Sequence, residues 1–379
     1  MPACSLRLHA LLAGLLGGLT LSKQALHKRL TGRAVAFLHA CICGLLSRPS
    51  HKRPNPSYCA CFGRILLHDS SCVTLQPSHA SSFPGPSNQS SCTQACLRLQ
   101  IVYDLLEENL VDCRLTPFTR NDQTAAHDIV PVLKADDLVV RDLGYFSVDS
   151  LACIHQARAF FLTRWRFPVL LYDVCTGAVI NLANVLLHDR PLDLSVRLSD
   201  GTTVRLLALP VPDALANQRR RKARLNRDRR LSHDPLYYHL LGWTLLLTNA
   251  PASRLPVQAA CEVYRLRWRI EIIFKAWKSH LGLLHASNAG LSHLLPLVLG
   301  LLIFCILLHS HLPTQATDSP GFSLLKLTQF FALFLLPFAL AHLCPAPLSD
   351  NLLLQLLRHT RYDRRSRVNY LQLKHFSLS

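Results

Sequence analysis

The stretch Val263–Leu281, VYRLRWRIEIIFKAWKSHL, constrains this chain more than any other. It contains no glycine or proline, so it reads as one helix. At about 100° per residue, Tyr264, Arg267, Glu271, Lys275 and Lys278 share a stripe roughly 80° wide. Leu266, Ile270, Ile273, Phe274 and Trp277 form the face that a core would bury. Two readings fit the charged stripe. Arg267/Glu271 and Glu271/Lys275 are i,i+4 pairs that suit a solvated surface, worth a few tenths of a kcal/mol each. Alternatively, Glu271 binds a metal ion and the flanking cations hold phosphates. The second reading requires more carboxylates elsewhere in the chain.

Charge bears on that choice. Lys and Arg number 41 against 23 Asp and Glu, a formal net charge of +18. Such an excess points to an anionic partner, nucleic acid first and anionic membrane second. The 14 cysteines are scattered, mostly in apolar runs, and read as small hydrophobes in a reducing cytoplasm rather than as a disulfide framework. Cys41-x-Cys43 and Cys59-x-Cys61 are spaced too tightly for the usual zinc pattern. Leu294–Leu308 is uncharged but short and holds Pro296 and Gly300. Phe322–Leu343 holds Lys326, Gln329 and Pro337. A membrane span needs about 20 apolar residues, so both runs read as buried helices. Leu6–Leu21 resembles a signal-peptide core but lacks a small-residue cleavage site. No membrane partner is expected.

Taken in order, residues 1–50 read as a helical region. Thr20 or Ser22 caps a basic helix, and another runs from Ala34 to about Leu46. The pair suits either a DNA-binding helix-turn-helix or a small bundle with a solvated basic face. After a proline-rich linker, Arg64–Leu67 is a short strand running into Asp69, and Val73–Leu75 begins a second. Leu97–Tyr103 is a third strand and Asp122–Lys134 a helix. Leu138–Val140 is a strand running into Asp142, and Val148–Phe160 a helix. That order fits a ribonuclease-H-like α/β core, with one aspartate on its first strand and one at the end of its fourth. Residues 161–252 are β-rich, with strands at Phe167–Tyr172, Val179–Ala183, Leu192–Leu198, Thr203–Leu209 and Trp243–Thr248. They carry the densest basic run, Gln218–Arg230, read as either a phosphate contact or an exposed linker. Residues 253–290 complete the core, and 291–379 form an apolar helical region with a basic tail.

Together these residues resemble one group of insertion-sequence DDE transposases, the IS-four-like group. Tyr264-x2-Arg267-x3-Glu271-x6-Lys278 matches its Tyr-Arg-Glu-Lys signature. Asp69 in HDSSCVTLQP and Asp142 in RDLGYF resemble its two aspartate motifs. The resemblance runs from about residue 20 to 285. It implies an α/β fold, with a ribonuclease-H-like core (58–160 and 253–290), a β-rich insertion domain and a helical N-terminal DNA-binding region. It also implies that Asp69, Asp142 and Glu271 are catalytic and hold two Mg²⁺ or Mn²⁺ ions. Tyr264, Arg267 and Lys278 would contact phosphates at the transposon end, and Trp243 would stack in the space left by a flipped base. The implied partner is double-stranded DNA, at terminal inverted repeats and target, met by a homodimer at the nucleoid. The implied reaction is cut-and-paste transposition; the alternative is a catalytically inactive, transposase-derived DNA-binding repressor.

Overall fold

A computed structural model describes residues 21–47, 61–86, 94–186, 190–226, 234–280 and 290–311, together with positions 10, 325, 326, 328 and 329. Two helices come first, α1 (Lys23–Arg29) and α2 (Gly32–Leu46), bent by 74° relative to each other. Ser22 caps α1, its hydroxyl accepting the Ala25 N–H at 3.0 Å.

The core begins with β1 (Arg64–Leu75), β2 (Ala95–Asp104) and β3 (Asn109–Pro117), paired antiparallel in succession. β4 (Asp137–Arg141) then lies parallel to β1, and after α3 (Val148–Gln156), β5 (Phe160–Arg164) lies parallel to β4. Three antiparallel strands followed by two parallel ones fit the ribonuclease-H-like expectation. Several boundaries differ from those expected. The two strands at Arg64–Leu67 and Val73–Leu75 are one twelve-residue strand with Asp69 at its middle. The helix expected at Asp122–Lys134 is two 3₁₀ turns, Thr124–His127 and Val130–Val132, because Pro131 removes a donor that a longer helix would need. β3 and β5 were not expected; β5 takes the end of the helix expected at Val148–Phe160.

The β-rich stretch continues the same sheet. β6 (Tyr172–Asp173), the short α4 (Leu182–Val185), β7 (Leu192–Arg197), β8 (Thr203–Pro210), α5 (Asp213–Leu225), α6 (Pro235–Leu240) and β9 (Trp243–Thr248) follow. The nine strands run β3-β2-β1-β4-β5-β9-β8-β7-β6, with β9 antiparallel to β5. Val179 makes only an isolated bridge to Tyr172. The last helices are α7 (Val257–Leu266), α8 (Trp268–His280) and α9 (Leu291–His311).

Side-chain alternation sorts the sheet into two faces. Ile65, Leu67, Leu138 and Val140 pack in one core with Val263, Leu266, Ile270, Ile273, Phe274 and Trp277 of α7 and α8, and with Leu294, Val298 and Leu302 of α9. Leu66, Val139 and Phe161 face the other way, toward Leu151 and Ile154 of α3. The apolar run at Leu294–Leu308 is thus a core helix over its described side chains. Among the described residues, no single helix is long and apolar enough to cross a membrane. Nearly all of Phe322–Leu343 lies outside them.

Candidate active site

The pairing of β1 with β4 fixes the level of the two aspartates. Their parallel ladder runs from Arg64 opposite Asp137 to His68 opposite Arg141. Asp69 and Asp142 are the next residues in that register, where the strands part. Asp142 keeps an extended backbone (φ −80°, ψ 167°). Strand alternation puts Asp69 with Ile65 and Leu67, and Asp142 with Leu138 and Val140. Both carboxylates therefore face the side of the sheet covered by α7 and α8. Carboxyl ends of parallel strands are where open α/β sheets present their ligand sites.

The stretch that reads as one helix is divided here at Arg267. The Arg267 N–H bonds to the Tyr264 carbonyl, and the Ile270 N–H to the Arg267 carbonyl, both at 3.2 Å and both three residues back. The ladder tightens locally to 3₁₀ spacing. Glu271 then falls in the first turn of α8, where a negative charge suits the helix dipole. The buried face matches the expected one: Leu266, Ile270, Ile273, Phe274 and Trp277 are all buried. Leu281 lies outside the described residues.

Arg267 joins the acids. One guanidinium nitrogen donates to Asp69 Oδ2 at 3.2 Å, and the other meets Glu271 Oε1 at 2.8 Å. The side chain is only 11% exposed. Tyr264 Oη reaches Asp142 Oδ1 at 3.5 Å, and the Arg267 guanidinium carbon sits 5.9 Å from the Tyr264 ring centre. Burial pushes the Asp69 carboxyl up to about 6; the Ser70 N–H and Arg267 oppose the shift, and Asp142 and Glu271 reinforce it. Burial likewise raises the Tyr264 phenol to about 12. Asp69 and Glu271 thus meet on one buried guanidinium, and Asp142 lies beside it on Tyr264. All their ligand atoms are hard oxygens, the donor type that holds Mg²⁺ or Mn²⁺. Buried carboxylates that already draw in a guanidinium fit such an ion.

Other expected residues stand apart. Lys278 is half-buried further along α8, where its charge lowers the Cys96 thiol on β2 against a larger rise from burial. Trp243 is 6% exposed in the core of the β-rich region, opposite Pro210 of β8. Trp268 is 62% exposed beside Arg267. The basic run is divided. Arg219 donates to the Trp243 carbonyl at 3.0 Å and Arg220 to the Tyr238 carbonyl at 3.2 Å, while Arg221, Lys222 and Arg224 are exposed. Residues 227–230 lie outside the described residues.

A second network, which sequence reasoning missed, underlies the site. Asp122 Oδ1 accepts from Ser70 Oγ and from Arg98, each at 2.6 Å, and from Gln100 Nε2 at 3.4 Å. Gln100 in turn accepts from the Tyr145 hydroxyl. A Cβ on Gly144 would come within 3.2 Å of Asp122 Oδ2. Asp122 therefore connects the strand after Asp69 to the turn after Asp142. An isolated Asp between two loop signals carries no pattern that could have revealed this.

At 26% identity over 296 residues, the chain is similar to the transposase for insertion sequence element IS231B of Bacillus thuringiensis subsp. berliner, covering 72% of this chain and 61% of that protein. It is also similar to the transposase for insertion sequence element IS1151 of Clostridium perfringens, at 23% over 312 residues, covering 76% and 65%. The chain spans roughly three fifths of the length of such curated relatives. A solved piggyBac transposase synaptic complex with hairpin DNA overlaps 80% of this chain and 59% of its own, at a TM-score of 0.39 and 10% identity, too loose a likeness to bear on the fold. Residues 60–304, the span that supplies both aspartates, Arg267 and Glu271, match the family described as the transposase DDE domain, and the chain belongs to that family.

Proposed function

We propose that this protein is a DNA transposase of the IS-four-like group, which cleaves insertion-sequence ends and joins them to target DNA by a cut-and-paste route. The observation that carries the reading is the meeting of Asp69 and Glu271 on Arg267, with Asp142 beside them on Tyr264. A pair of divalent cations held by the three acids would supply activation of the attacking oxygen and stabilisation of the leaving one. The chain's own residues do the rest. Asp69 and Asp142 hold their carboxylates at one level of the sheet, and Glu271 closes the cluster from α8. Arg267 neutralises the acids before a cation arrives. A cation on the acids would leave the Arg267 guanidinium free to take a phosphate oxygen beside the scissile bond. Tyr264 adds a hydroxyl donor on the same side. Lys278 extends the positive path along α8. Trp268 presents the open indole face on which an unpaired base at the element's end can stack. Double-stranded DNA is the substrate, and a homodimer would hold two ends together.

The test is incubation with Mg²⁺ and DNA carrying the inverted repeats that flank the reading frame. Wild-type protein nicks at the repeat boundary. Asp69→Ala, Asp142→Ala and Glu271→Ala each bind the DNA but leave it intact. Cleavage retained by all three variants would sink the assignment. Binding without cleavage by the wild type would favour the repressor reading.

A further inference from the structure

On the α3 side of the sheet, away from the acidic cluster, three metal-ligating side chains converge. His127, Asp149 and Cys153 have ligand atoms within 4.8 Å of one another. Asp149 and Cys153 are four residues apart on α3, so they share one helical face. His127 ends the 3₁₀ turn Thr124–His127, which packs against that helix. We infer that His127, Asp149 and Cys153 form a binding site for a borderline-soft divalent cation such as Zn²⁺, separate from the carboxylate centre.

The donor set selects the ion. One imidazole nitrogen, one carboxylate oxygen and one thiolate sulfur suit Zn²⁺ rather than Mg²⁺, which prefers oxygen alone. Zinc bonds of about 2.0 Å to nitrogen and about 2.3 Å to sulfur put tetrahedral donors roughly 3.3–3.8 Å apart. His127 Nε2 and Asp149 Oδ2 now share a hydrogen bond at 2.8 Å, so they need to part by only about half an ångström. A surface His–Asp pair accounts for those two groups but not for a thiol within reach of both. Water would complete the fourth position.

The scaffold under the ligands is already rigid. The buried Arg141 guanidinium donates to the Ala126 carbonyl and to Ser150 Oγ, each at 2.7 Å, and Ser150 Oγ also reaches the Ala126 carbonyl at 3.2 Å. Residues 126 and 150, each adjacent in sequence to a ligand, are thereby fixed to one another. With that backbone fixed, only the ligand side chains remain to be ordered on binding. A cation here would clamp the 3₁₀ turn to α3, on either side of the Asp142 strand end.

The test is equilibrium dialysis of the metal-stripped full chain against Zn²⁺ in excess Mg²⁺, with bound zinc counted by mass spectrometry and Co²⁺ used as a spectroscopic stand-in. The wild type should bind one more equivalent than Cys153→Ser or His127→Gln, and its cobalt form should show a thiolate charge-transfer band that Cys153→Ser loses. Asp149→Asn, at a side chain 80% exposed, provides a third variant if either of the others misfolds. Zinc uptake unchanged in the variants, loss confined to Cys153→Ser, or no uptake by the wild type would overturn the site. None of these readouts depends on DNA cleavage, so they stand or fall apart from the transposase reading.

Discussion

Arg267 is the side chain on which the site depends. It contacts two carboxylates through two different nitrogens while almost fully buried, a geometry that lysine cannot copy. Arg267→Ala leaves the acids facing one another without a counter-charge, and should cost the metal-free protein about 3 kcal/mol, read from urea midpoints. Mg²⁺ should recover a larger share of stability in that variant than in the wild type, because the cation replaces the lost charge. Asp69 predicts a pH dependence. Its folded value of about 6 lies above the ordinary 3.8. Between those values the folded state binds more protons, so its contribution is complete below 3.8 and is lost as pH rises through 6. Metal-free Asp69→Asn should therefore gain stability relative to the wild type as pH increases from about 4 to about 7. Trp268→Ala should weaken binding to end DNA by about 1–3 kcal/mol, measured by fluorescence titration, while leaving the fold intact, since the ring is mostly in solvent.

At the scale of elements, legibility in the sequence followed periodicity. β7 alternates, β8 and β9 are short apolar runs, and all three lie where they were expected, within a residue. The apolar face of α7 and α8 was also readable, and with it the position of Glu271. The unread parts are those where local pattern and tertiary role conflict. His68 to Cys72 look like a turn between two strands, yet they continue β1, because that polar stretch passes along the acidic site. The division at Arg267 is invisible in propensity, since no Gly or Pro stands there; it accompanies the placement of the guanidinium among the acids. The Asp122 network depends on three-dimensional proximity alone. It yields its own prediction. Asp122→Ala strands Arg98, whose side chain is 8% exposed. It should cost about 3 kcal/mol and lower cleavage by loosening both aspartate segments, measured by urea melts and end-nicking rates.

Among the described residues, one mixed sheet carries different groups on its two faces. One side carries α7, α8 and α9 with the acids at their edge, and the other carries α3 with its His–Asp–Cys cluster. The +18 charge is a property of the whole chain, and it predicts DNA affinity that falls steeply and linearly in a log–log plot against salt. Removing the exposed Arg221 and Lys222 together should reduce that slope by about 1.8, since each phosphate contact contributes about 0.9. Arg219 and Arg220, bonded to carbonyls, should instead affect stability.

The central claim is that Asp69, Asp142 and Glu271 form one cation site. Titration of the metal-stripped chain with Mn²⁺, following the paramagnetic resonance signal of the free ion, tests it without DNA. Bound Mn²⁺ is expected in the wild type, with a sharp loss in each of Asp69→Asn, Asp142→Asn and Glu271→Gln. Mn²⁺ binding that survives unchanged in all three would contradict it.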